Sequence, residues 1–436
     1  MTDKSGAPPQ GADGKVASNV VPLPKREPWK AKLYRTDGKK PKIKNVIANG
    51  IVALREAPEW RGALRFDDNA QAIQLGRLPP DPWPQQSFVP RPWNEQDDGL
   101  LSEWLTRQGI DLSPAAASEA TLIVARESPF HPIREYLHSL KWDGTPRISS
   151  WLFDYLGADK IGELKDYHAA IGHKWLISAV ARAMNPGCQV DHVLIFEGLQ
   201  GNGKSSFLRV LCGDLWFTDE SPDINDKQDA ALSLEGKWIV ELAELDAFKG
   251  VSQERLKAFI TRRKDRIRRP WGRRAIDIPR QCVFAGSTNQ GNYLRDETGD
   301  RRYWPFKATK LDIEGIGAAR DQLWAEAVVH YNAGVPHWLE TSHLRKLAVL
   351  AQAKRFEADP WEEDVERFIS DGILDGISDG TVSGTKAIFE LLRPGEKITP
   401  SDSHRIAKIL RHLGFEPDQD KTPEGKNRRF WRRLDV

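Results

Sequence analysis

The sequence predicts an α/β protein built on a parallel sheet with helices on both faces. From about residue 165 to residue 340, short apolar segments typical of buried strands alternate with amphipathic segments long enough for helices. The strand segments are HVLIFEG, WIVELAEL and CVFAGSTN, and the helix segments are DYHAAIGHKWLISAVARAM, KSSFLRVLCG, VSQERLKAFITRR and DQLWAEAVVHYNAG. Strands covered by helices on both sides are apolar throughout, so this alternation favours a doubly covered parallel sheet.

Three further regions surround this core, which we place at residues 131–345. Residues 1–45 are rich in Pro, Gly and Lys and lack apolar periodicity, which predicts a disordered basic tail. Residues 46–130 are expected to form a small accessory domain of helices and short strands. Residues 360–436 are expected to form a compact C-terminal domain.

Both flanking domains have recognisable elements. In the accessory domain, NVIANGIVALREA has helical spacing, ALRFDDNAQAIQLG alternates like short strands, and helices are expected at 97–107 and 114–127. Six prolines in residues 79–93 predict an extended connector. In the C-terminal domain, TKAIFELLR and SDSHRIAKILRHLGF predict helices, the second capped by Ser401 or Ser403, and GKNRRFWRRL predicts the return strand of a hairpin.

The composition excludes several classes of protein. The 436 residues have a mean hydropathy of −0.55 and lack an apolar run long enough to cross a membrane. No apolar signal segment is visible, and 3 cysteines without a CxxC pair form neither a disulfide framework nor a structural zinc site. We therefore expect a protein of a reducing cytoplasm without a membrane partner.

The net charge of +2 conceals strong segregation of charge. Residues 262–280 carry 9 basic and 2 acidic side chains, and residues 1–45 carry 11 basic and 4 acidic ones. Residues 357–379 reverse this balance, with 9 acidic side chains and a single Arg. Such segregation favours a polyanionic partner that is met at particular places on the surface.

The strongest motif is GLQGNGKS at residues 198–205, which matches GxxxxGK[ST] at every fixed position. Glycines let backbone N–H groups approach phosphates, the Lys balances their charge, and the hydroxyl holds Mg²⁺. The motif lies between an apolar strand and a helix, the context that a P-loop requires, whereas an ordinary glycine-rich turn is the alternative. The residues expected to bind a nucleotide are Gly198, Gly201, Asn202, Gly203, Lys204, Ser205 and Ser206.

A P-loop also needs an acid on a neighbouring strand to hold the Mg²⁺ shell and polarise water. KWIVELAELD, which begins at residue 237, is the best candidate. Glu244 is preferred because it stands where the apolar strand ends, and Glu241 is the second choice because a charge inside such a strand is unusual. The alternative is that both are solvated carboxylates at the sheet edge.

Polar residues also follow the third strand. Asn289 stands at its carboxyl end, where an amide orients an attacking water, although Asn commonly ends strands as a turn former. The segment LRDETGDRRYWPF then brings Arg295, Arg301 and Arg302. Arg301 and Arg302 are either surface charges or an arginine finger that acts on the nucleotide of a neighbouring subunit.

Together these segments resemble the virulence-associated protein E family of phage, prophage and plasmid proteins. That family is close to superfamily 3 helicases and to the helicase half of poxvirus-type primase-helicases. The resemblance covers about residues 131–340, in the family's order, and rests on the motifs LKWDGTPRI, ARAMNPGCQVDHVLIFEGLQGNGKSS, GKWIVELAELD, IRRPWGRR and FAGSTNQGNYLRDETGDRRYWPF.

The resemblance implies an AAA+-like ATPase core that uses ATP and Mg²⁺. It also implies a homo-oligomeric ring, with a hexamer preferred, that moves on single-stranded DNA. On matching positions it makes Lys204 and Ser205 the nucleotide and Mg²⁺ ligands, Glu244 the Walker B acid, Asn289 the sensor, and Arg301 and Arg302 the finger candidates.

Two departures from the family pattern matter. The adjacent acid pair of many AAA+ proteins is absent, because Leu245 separates Glu244 from Asp246, so Glu241 and Glu244 both stay candidates. Many relatives also carry an N-terminal primase domain. Here no DxD strand with a downstream His precedes the WDG motif to hold two catalytic metals, so we expect a separate primase among the partners.

Residues 262–280 lie where superfamily 3 helicases place a hairpin that grips DNA. IRRPWGRRAIDIP is expected to form a hairpin with the segment PWG at or near its tip. Basic side chains neutralise phosphates and an aromatic ring stacks on a base, whereas a solvated loop with Trp271 packed inward is the alternative. The expected DNA contacts are Arg268, Arg269, Trp271, Arg273 and Arg274.

The C-terminal domain resembles a winged helix, with two helices followed by a basic wing. Lys426, Arg428 and Arg429 are expected on the wing, where they would contact a DNA backbone. Winged helices also serve as protein–protein modules, which is the alternative.

These patterns predict an ATP-dependent DNA helicase or translocase for replication of a phage, prophage or plasmid in a bacterial host cytoplasm. Its expected substrate is single-stranded or forked DNA. One rival is a regulatory or signalling P-loop ATPase that does not translocate. The other is an initiator that binds a replication origin through the C-terminal domain.

Overall fold

The computed structural model describes residues 28–84, 87–243, 253–268, 274–294, 300–355, 359–371, 381–382, 384–421 and 427–433. The chain divides into two compact units, Met1–Pro132 and Ile133–Val436. Among the helices within the described ranges, none combines the length and apolar character that a membrane span requires.

The first unit packs three helices against a small sheet. Its strands are ordered β3-β2-β1-β4, with antiparallel neighbours except for β4, which runs parallel to β1. The helices and short strands predicted for this region are confirmed. The elements are α1 (Ile47–Glu56), β1 (Leu64–Asp67), β2 (Ala72–Leu75), β3 (Arg91–Pro92), α2 (Glu95–Arg107), α3 (Pro114–Ala125) and β4 (Pro129–Phe130).

The predicted disordered tail is too long, because residues 28–45 belong to the first unit. Trp29 and Leu33 are 3% and 5% exposed, and the Trp29 ring stacks on Trp104 with centroids 6.3 Å apart. These two apolar side chains reach the core from a short 3-10 turn and the residue after it, while Lys30 is half-buried and Lys32 is exposed. The high Lys content therefore concealed a core contribution. Residues 1–27 lie outside the described part of the chain.

The second unit begins around α4 and contains the parallel sheet with the helices that cover it. The elements are α4 (Pro132–Ser139), α5 (Trp151–Leu156), α6 (Lys165–Met184), β5 (Val193–Glu197), α7 (Lys204–Cys212), β6 (Phe217–Thr218), α8 (Lys227–Leu232), β7 (Ile239–Leu242), α9 (Gln253–Thr261), β8 (Lys264–Arg268), β9 (Ala275–Pro279), β10 (Val283–Thr288), β11 (Tyr303–Lys307), α10 (Ile313–Asn332) and α11 (Ser342–Ala353).

Five strands form a sheet that is parallel throughout, in the order β11-β5-β10-β7-β6. The first of these strands along the chain, β5, therefore lies between the last two, β10 and β11. Pro305 sits in β11 opposite Ile195. A proline is tolerated there because β11 is an edge strand and needs hydrogen bonds on one side only.

Helices cover both faces of this sheet, as predicted. Alternate residues of a strand point to opposite faces. Leu194 and Phe196 of β5 pack on one side in a core with α6, α7 and α10, whereas Val193 and Ile195 pack on the other side in a core with α9. This double coverage explains why the strands are apolar throughout.

Residues 142–148, which begin with the WDG motif, pack against α10. The buried Glu326 carboxylate accepts hydrogen bonds from the backbone N–H groups of Arg147 (2.6 Å) and Ile148 (3.0 Å). The side-chain oxygen of Gln322 accepts a hydrogen bond from the Asp143 N–H at 2.9 Å. Arg147 binds the Asp143 carboxylate and holds its pKa well below the usual range. These hydrogen bonds therefore hold residues 143–148 in place near the start of the second unit.

The C-terminal region adds three helices and a small antiparallel sheet in the order β12-β14-β13. A separate apolar core holds them together, and the predicted return strand is confirmed. The elements are α12 (Glu362–Ser370), β12 (Thr381–Val382), α13 (Thr385–Leu392), α14 (Pro400–His412), β13 (Phe415–Lys421) and β14 (Asn427–Arg433).

The predicted cap of α14 is wrong. Thr399, and neither Ser401 nor Ser403, caps this helix through a hydroxyl that accepts the Asp402 N–H at 3.2 Å. The Asp402 carboxylate accepts the Thr399 N–H at 3.0 Å in return, which completes a capping box. Pro400 starts the helix because its missing N–H costs nothing at the first position.

Candidate functional site

The glycine-rich loop (residues 198–203) joins the buried strand β5 to α7, as the motif predicts. A Cβ atom at Gly198 would lie 2.8 Å from Asn202 Nδ2 and 2.9 Å from the Ala308 carbonyl oxygen, so only glycine fits there. Gly203 has a φ of 94° and precedes α7 without a side-chain cap. A helix N-terminus without such a cap leaves backbone N–H groups available to an anion.

A cavity of about 360 Å³ lies beside this loop, and we call it the loop cavity. It also includes residues from β7, β10 and the segments that follow them. Ligand sites of open parallel sheets form at these carboxyl ends of strands. The lining residues are Gln200, Gly201, Asn202, Gly203, Lys204, Ser205, Ser206, Glu241, Ala243, Ser287, Thr288 and Asn289.

The Lys204 ammonium group is folded back over the loop. Its Nζ donates hydrogen bonds to the carbonyl oxygens of Gly198 (2.9 Å) and Leu199 (2.8 Å), and a longer one to Asn202 Oδ1 (3.3 Å). Burial lowers the pKa of Lys204, while the Glu241 carboxylate nearby acts in the opposite direction. A buried cation at a helix N-terminus suits a multiply charged anion.

Glu241 is the acid that the structure places in this cavity. It lies in β7 opposite Ala285 of β10 and is fully buried. Neither of its carboxylate oxygens has a hydrogen-bond partner among the described residues. Buried carboxylates are normally paired or bound to a cation, so this one fits a cation ligand. The preferred candidate, Glu244, lies outside the described residues.

Asn289 follows β10 directly, is exposed, and lines the loop cavity. The backbone brings it to the loop because the Gly198 N–H donates to the Thr288 carbonyl oxygen at 3.1 Å. Thr288 in turn pairs with Glu197, the last residue of β5. The predicted sensor position therefore lies on the loop cavity.

A second cavity of about 750 Å³ lies beside the same loop. Asn202 and Asn289 line both cavities, so the two spaces adjoin each other at these side chains. Most of the residues that line it are polar. Its other residues are Asp159, Leu164, His168, Glu197, Gly198, Leu199, Gln290, Gly291, Asn292, Lys307, Ala308, Thr309, Lys354 and Arg355.

One wall of the second cavity contains a buried ion pair. Arg355 donates from Nε and Nη2 to the two carboxylate oxygens of Glu197, at 2.6 Å and 2.7 Å. The Tyr293 hydroxyl donates to Glu197 Oε1 at 2.8 Å. Burial, followed by the Glu197 charge, raises the pKa of Tyr293 well above its usual range.

The arginine-finger candidates lie apart from the loop cavity. Arg301 and Arg302 end a short 3-10 turn, Asp300–Arg302, directly before β11. Arg301 is exposed and Arg302 is half-buried. Within the described chain, no arginine lines the loop cavity.

The predicted basic hairpin is present as the antiparallel pair β8 and β9. Arg268 ends β8 and Arg274 immediately precedes β9, and both are exposed. At the base, the buried Arg280 donates from Nε and Nη2 to both Asp265 oxygens, at 2.6 Å and 3.1 Å. The tip residues expected to contact DNA, Arg269, Trp271 and Arg273, lie outside the described residues.

Two of the predicted wing residues fall within the described chain. Arg428 and Arg429 lie in β14, opposite Asp420 and Gln419 of β13. Lys426 lies outside the described residues.

Sequence reasoning missed the Glu197, Tyr293 and Arg355 network. The signal available for Glu197 was a charge at the end of an apolar strand, directly before Gly198. Nothing in the sequence links it to Arg355, which lies 158 residues later. The pairing depends on how α11 packs beside β11.

The model of the Virulence-associated protein E-like domain matches residues 137–357 of the chain. No curated protein matches significantly. Among solved structures, the A form of the apo NrS-1 C-terminal region (305–718) has 15% identity and a TM-score of 0.44, covering 85% of this chain and 96% of its own. Another apo structure of that region has 16% identity and a TM-score of 0.43, covering 84% and 95%.

Proposed function

The chain belongs to the virulence-associated protein E-like family, and from that premise we propose that it is an ATP-dependent DNA helicase or translocase of a mobile genetic element. The family match confirms the resemblance expected from the sequence. Hydrolysis of ATP, movement on DNA and assembly into a ring, with a hexamer preferred, are parts of the proposal.

One observation carries the proposal. The loop cavity lies where the glycine-rich loop joins β5 to the N-terminus of α7. Three side chains line it: the buried Lys204 ammonium, the buried Glu241 carboxylate, which has no hydrogen bond within the described chain, and the Asn289 amide. This combination suits a nucleoside triphosphate bound with a divalent cation, because phosphates need the N–H groups and Lys204 while the cation needs the hydroxyl of Ser205 and Glu241. The strand–loop–helix order supports a P-loop core of the AAA+-like kind.

The residues present fit ATP and Mg²⁺, and each has a role in the proposal. The N–H groups of residues 201–206 and the Lys204 ammonium would hold the phosphates in the loop cavity. Ser205 and Glu241 would hold Mg²⁺, which when bound neutralises charge that develops on the phosphates. The Asn289 amide would orient a water molecule. The second cavity, which adjoins at Asn202 and Asn289, would receive the base and ribose.

The nucleic-acid part of the proposal rests on two elements. The hairpin of β8 and β9 presents Arg268 and Arg274 at its exposed end, where they would neutralise phosphates of single-stranded DNA. In the C-terminal region, helices α13 and α14 followed by the β13–β14 hairpin support a winged-helix-like domain. Arg428 and Arg429 in β14 would contact a DNA backbone from there.

The test is ATP hydrolysis by the full chain with and without single-stranded DNA, followed by strand displacement on a forked duplex. Lys204→Ala should abolish hydrolysis without unfolding the protein, because it removes the cation that balances phosphate charge. Lys346→Ala is the matched control, since Lys346 is exposed on α11. Equal turnover by Lys204→Ala and Lys346→Ala would reject the ATPase proposal.

The same assay separates the rival functions. Hydrolysis that single-stranded DNA does not stimulate would favour a regulatory ATPase. Binding of the full chain to one duplex sequence, without ATP-driven strand displacement, would favour an origin-binding initiator.

A further inference from the structure

The ion pair beside the glycine-rich loop connects three segments of the second unit. Glu197 ends β5 and directly precedes Gly198, Tyr293 follows Asn289 by four residues, and Arg355 follows α11. We propose that Glu197, Tyr293 and Arg355 form a positioning clamp that holds Asn289 in place against the glycine-rich loop. The inference rests on the proposed ATPase function.

The clamp has the geometry of a rigid joint. Glu197, Tyr293 and Arg355 are 7%, 8% and 7% exposed, so little solvent competes for their hydrogen bonds. Arg355 binds both carboxylate oxygens, which fixes the plane of the carboxylate as well as its distance. The third guanidinium nitrogen donates to the Ala351 carbonyl oxygen at 2.6 Å, which ties the clamp to α11.

The clamp also holds the backbone that follows Asn289. The Arg355 carbonyl oxygen accepts hydrogen bonds from the N–H groups of both Tyr293 and Leu294, each at 3.0 Å. Tyr293 therefore reaches the clamp through its hydroxyl and through its backbone.

Burial along this segment explains why Asn289 needs such an anchor. Residues 289–292 are all exposed, so core packing does not fix where they lie. The flanking residues Thr288 and Tyr293 are buried and held, one by the sheet and the other by the clamp. Loss of the Tyr293 hydroxyl bond would leave the segment after Asn289 tied to the clamp through the two backbone bonds to Arg355 alone, which is a looser attachment.

The ionisation states suit a permanent joint. Burial, followed by the Glu197 charge, raises the pKa of Tyr293, so its phenol keeps the proton it donates. Burial acts to lower the pKa of Arg355, but the hydrogen bond and the charge of Glu197 together outweigh that effect and the pKa is raised. Both donors of the clamp therefore keep their protons near neutral pH.

Tyr293→Phe is the sharpest test, because it removes one hydroxyl and keeps the ring in the core. A displacement of about 1 Å at a reacting group costs up to roughly 100-fold in rate, so loosening one anchor should lower kcat about tenfold. The KM for ATP should stay within about twofold, since the residues that bind phosphates are untouched. Tyr136→Phe is the matched control: the Tyr136 hydroxyl donates to the Asp321 carboxylate at 2.6 Å, away from both cavities.

Arg355→Lys supplies a second variant that keeps the charge but cannot bind both oxygens. It should lower kcat as Tyr293→Phe does, and the double variant should lose less than the product of the two, because both act on Glu197. Its control is Arg405→Lys, since Arg405 binds Asp359 with two nitrogens in the C-terminal region.

The outcomes separate the inference from the function it rests on. If the unmodified chain hydrolyses ATP and Tyr293→Phe keeps its kcat, the clamp does not position Asn289. If Tyr293→Phe loses melting temperature and ATP affinity together with kcat, its role is structural and the inference is wrong. If the unmodified chain does not hydrolyse ATP, the proposed function is wrong, and so is the inference that rests on it.

Discussion

At the loop cavity, a single side chain can lower the stability of the ligand-free protein and still be needed for activity. Glu241 is fully buried, and neither of its oxygens is hydrogen-bonded within the described chain. An ionised carboxylate without a partner destabilises a folded protein by several kcal/mol, unless a bound cation compensates for the lost hydration. Glu241 thus favours the binding of a cation but lowers the stability of the ligand-free protein, a trade-off that is common at functional sites.

Glu241→Gln should therefore separate stability from activity. The melting temperature of the ligand-free protein should stay level or rise, because a buried carboxylate without hydrogen bonds is replaced by a neutral amide. ATP hydrolysis should fall roughly 100-fold, since an amide neither holds a cation well nor accepts a proton from water. Thermal denaturation and steady-state turnover measure the two effects.

Glu244→Gln is the informative comparison, because the sequence prefers Glu244 and the structure places Glu241 in the cavity. A severe loss of turnover in Glu244→Gln together with near-normal turnover in Glu241→Gln would contradict our choice. Glu244 would then be the catalytic acid.

At the scale of elements, the sequence predicts the central sheet well because its strands are buried on both faces. The apolar runs of β5, β7 and β10 and the glycine-rich motif are local signals, and the structure confirms where they lie. Asn289 and Glu241 both reach the loop cavity, as expected of residues at or near the ends of neighbouring parallel strands. The sheet order brings these ends together.

Other elements escape prediction because their signals depend on distant partners. Helix α12 lies in the acidic segment of residues 357–379, for which no helix is predicted from the sequence, yet Val365 is fully buried against the C-terminal core. Arg355 and Tyr293 are ordinary residues until packing places them beside Glu197. Hydrophobic periodicity and amino-acid composition contain no information on such pairings.

The hairpin of β8 and β9 shows the same division between local and distant information. Its basic sequence predicts two strands and a tip, but the anchor at its base depends on Arg280, which binds Asp265 across the hairpin. Arg280 also joins the core through its carbonyl oxygen, which accepts the Gly187 N–H at 2.8 Å. The base is thus held, while Arg268 and Arg274, the described residues farthest from it, are exposed.

Replacing Arg268, Arg269, Arg273 and Arg274 together with Ala should weaken binding of single-stranded DNA and flatten its salt dependence. Each phosphate that the protein no longer neutralises reduces the slope of log K against log salt by about 0.7. Basal ATP hydrolysis should persist. Titrations of a labelled oligonucleotide at several salt concentrations provide the measurement.

A control replaces four exposed basic residues elsewhere, namely Lys39, Lys40, Arg345 and Lys346. If the hairpin variant and this control have the same salt slope, the hairpin does not grip DNA.

For the whole molecule, the loop cavity is incomplete as an ATPase site if a finger is required. No arginine of the described chain lines it, and the two candidates lie before β11. A finger supplied by a neighbouring copy would complete the cavity, which agrees with the ring that we propose from the family resemblance. Arg302 directly precedes the apolar strand β11, which favours it slightly from the sequence, but Arg301 is exposed and Arg302 is half-buried, so we test Arg301 first.

Mixing of subunits should test this proposal directly. Lys204→Ala and Arg301→Ala should each be nearly inactive, because a finger in trans raises turnover by about 10³–10⁵. In random rings from equal amounts of both variants, about one quarter of the head-to-tail interfaces pair an intact loop with an intact finger. ATP hydrolysis should return in that proportion.

Arg302→Ala is assayed in the same mixtures. Assembled mixtures that recover no activity with either arginine variant would show that these side chains do not act across the interface.

The position of β5 between β10 and β11 also matters while the protein is being made. β11 ends about 110 residues after β5, so at about 5–20 residues per second the ribosome needs roughly 5–20 s to supply the second neighbour. For most of that interval, until β10 is complete at residue 288, the nascent chain carries an apolar strand without either bordering strand, which favours aggregation or capture by a chaperone. Chains that terminate before β11 would therefore contain the complete glycine-rich motif but leave one side of β5 without its neighbouring strand.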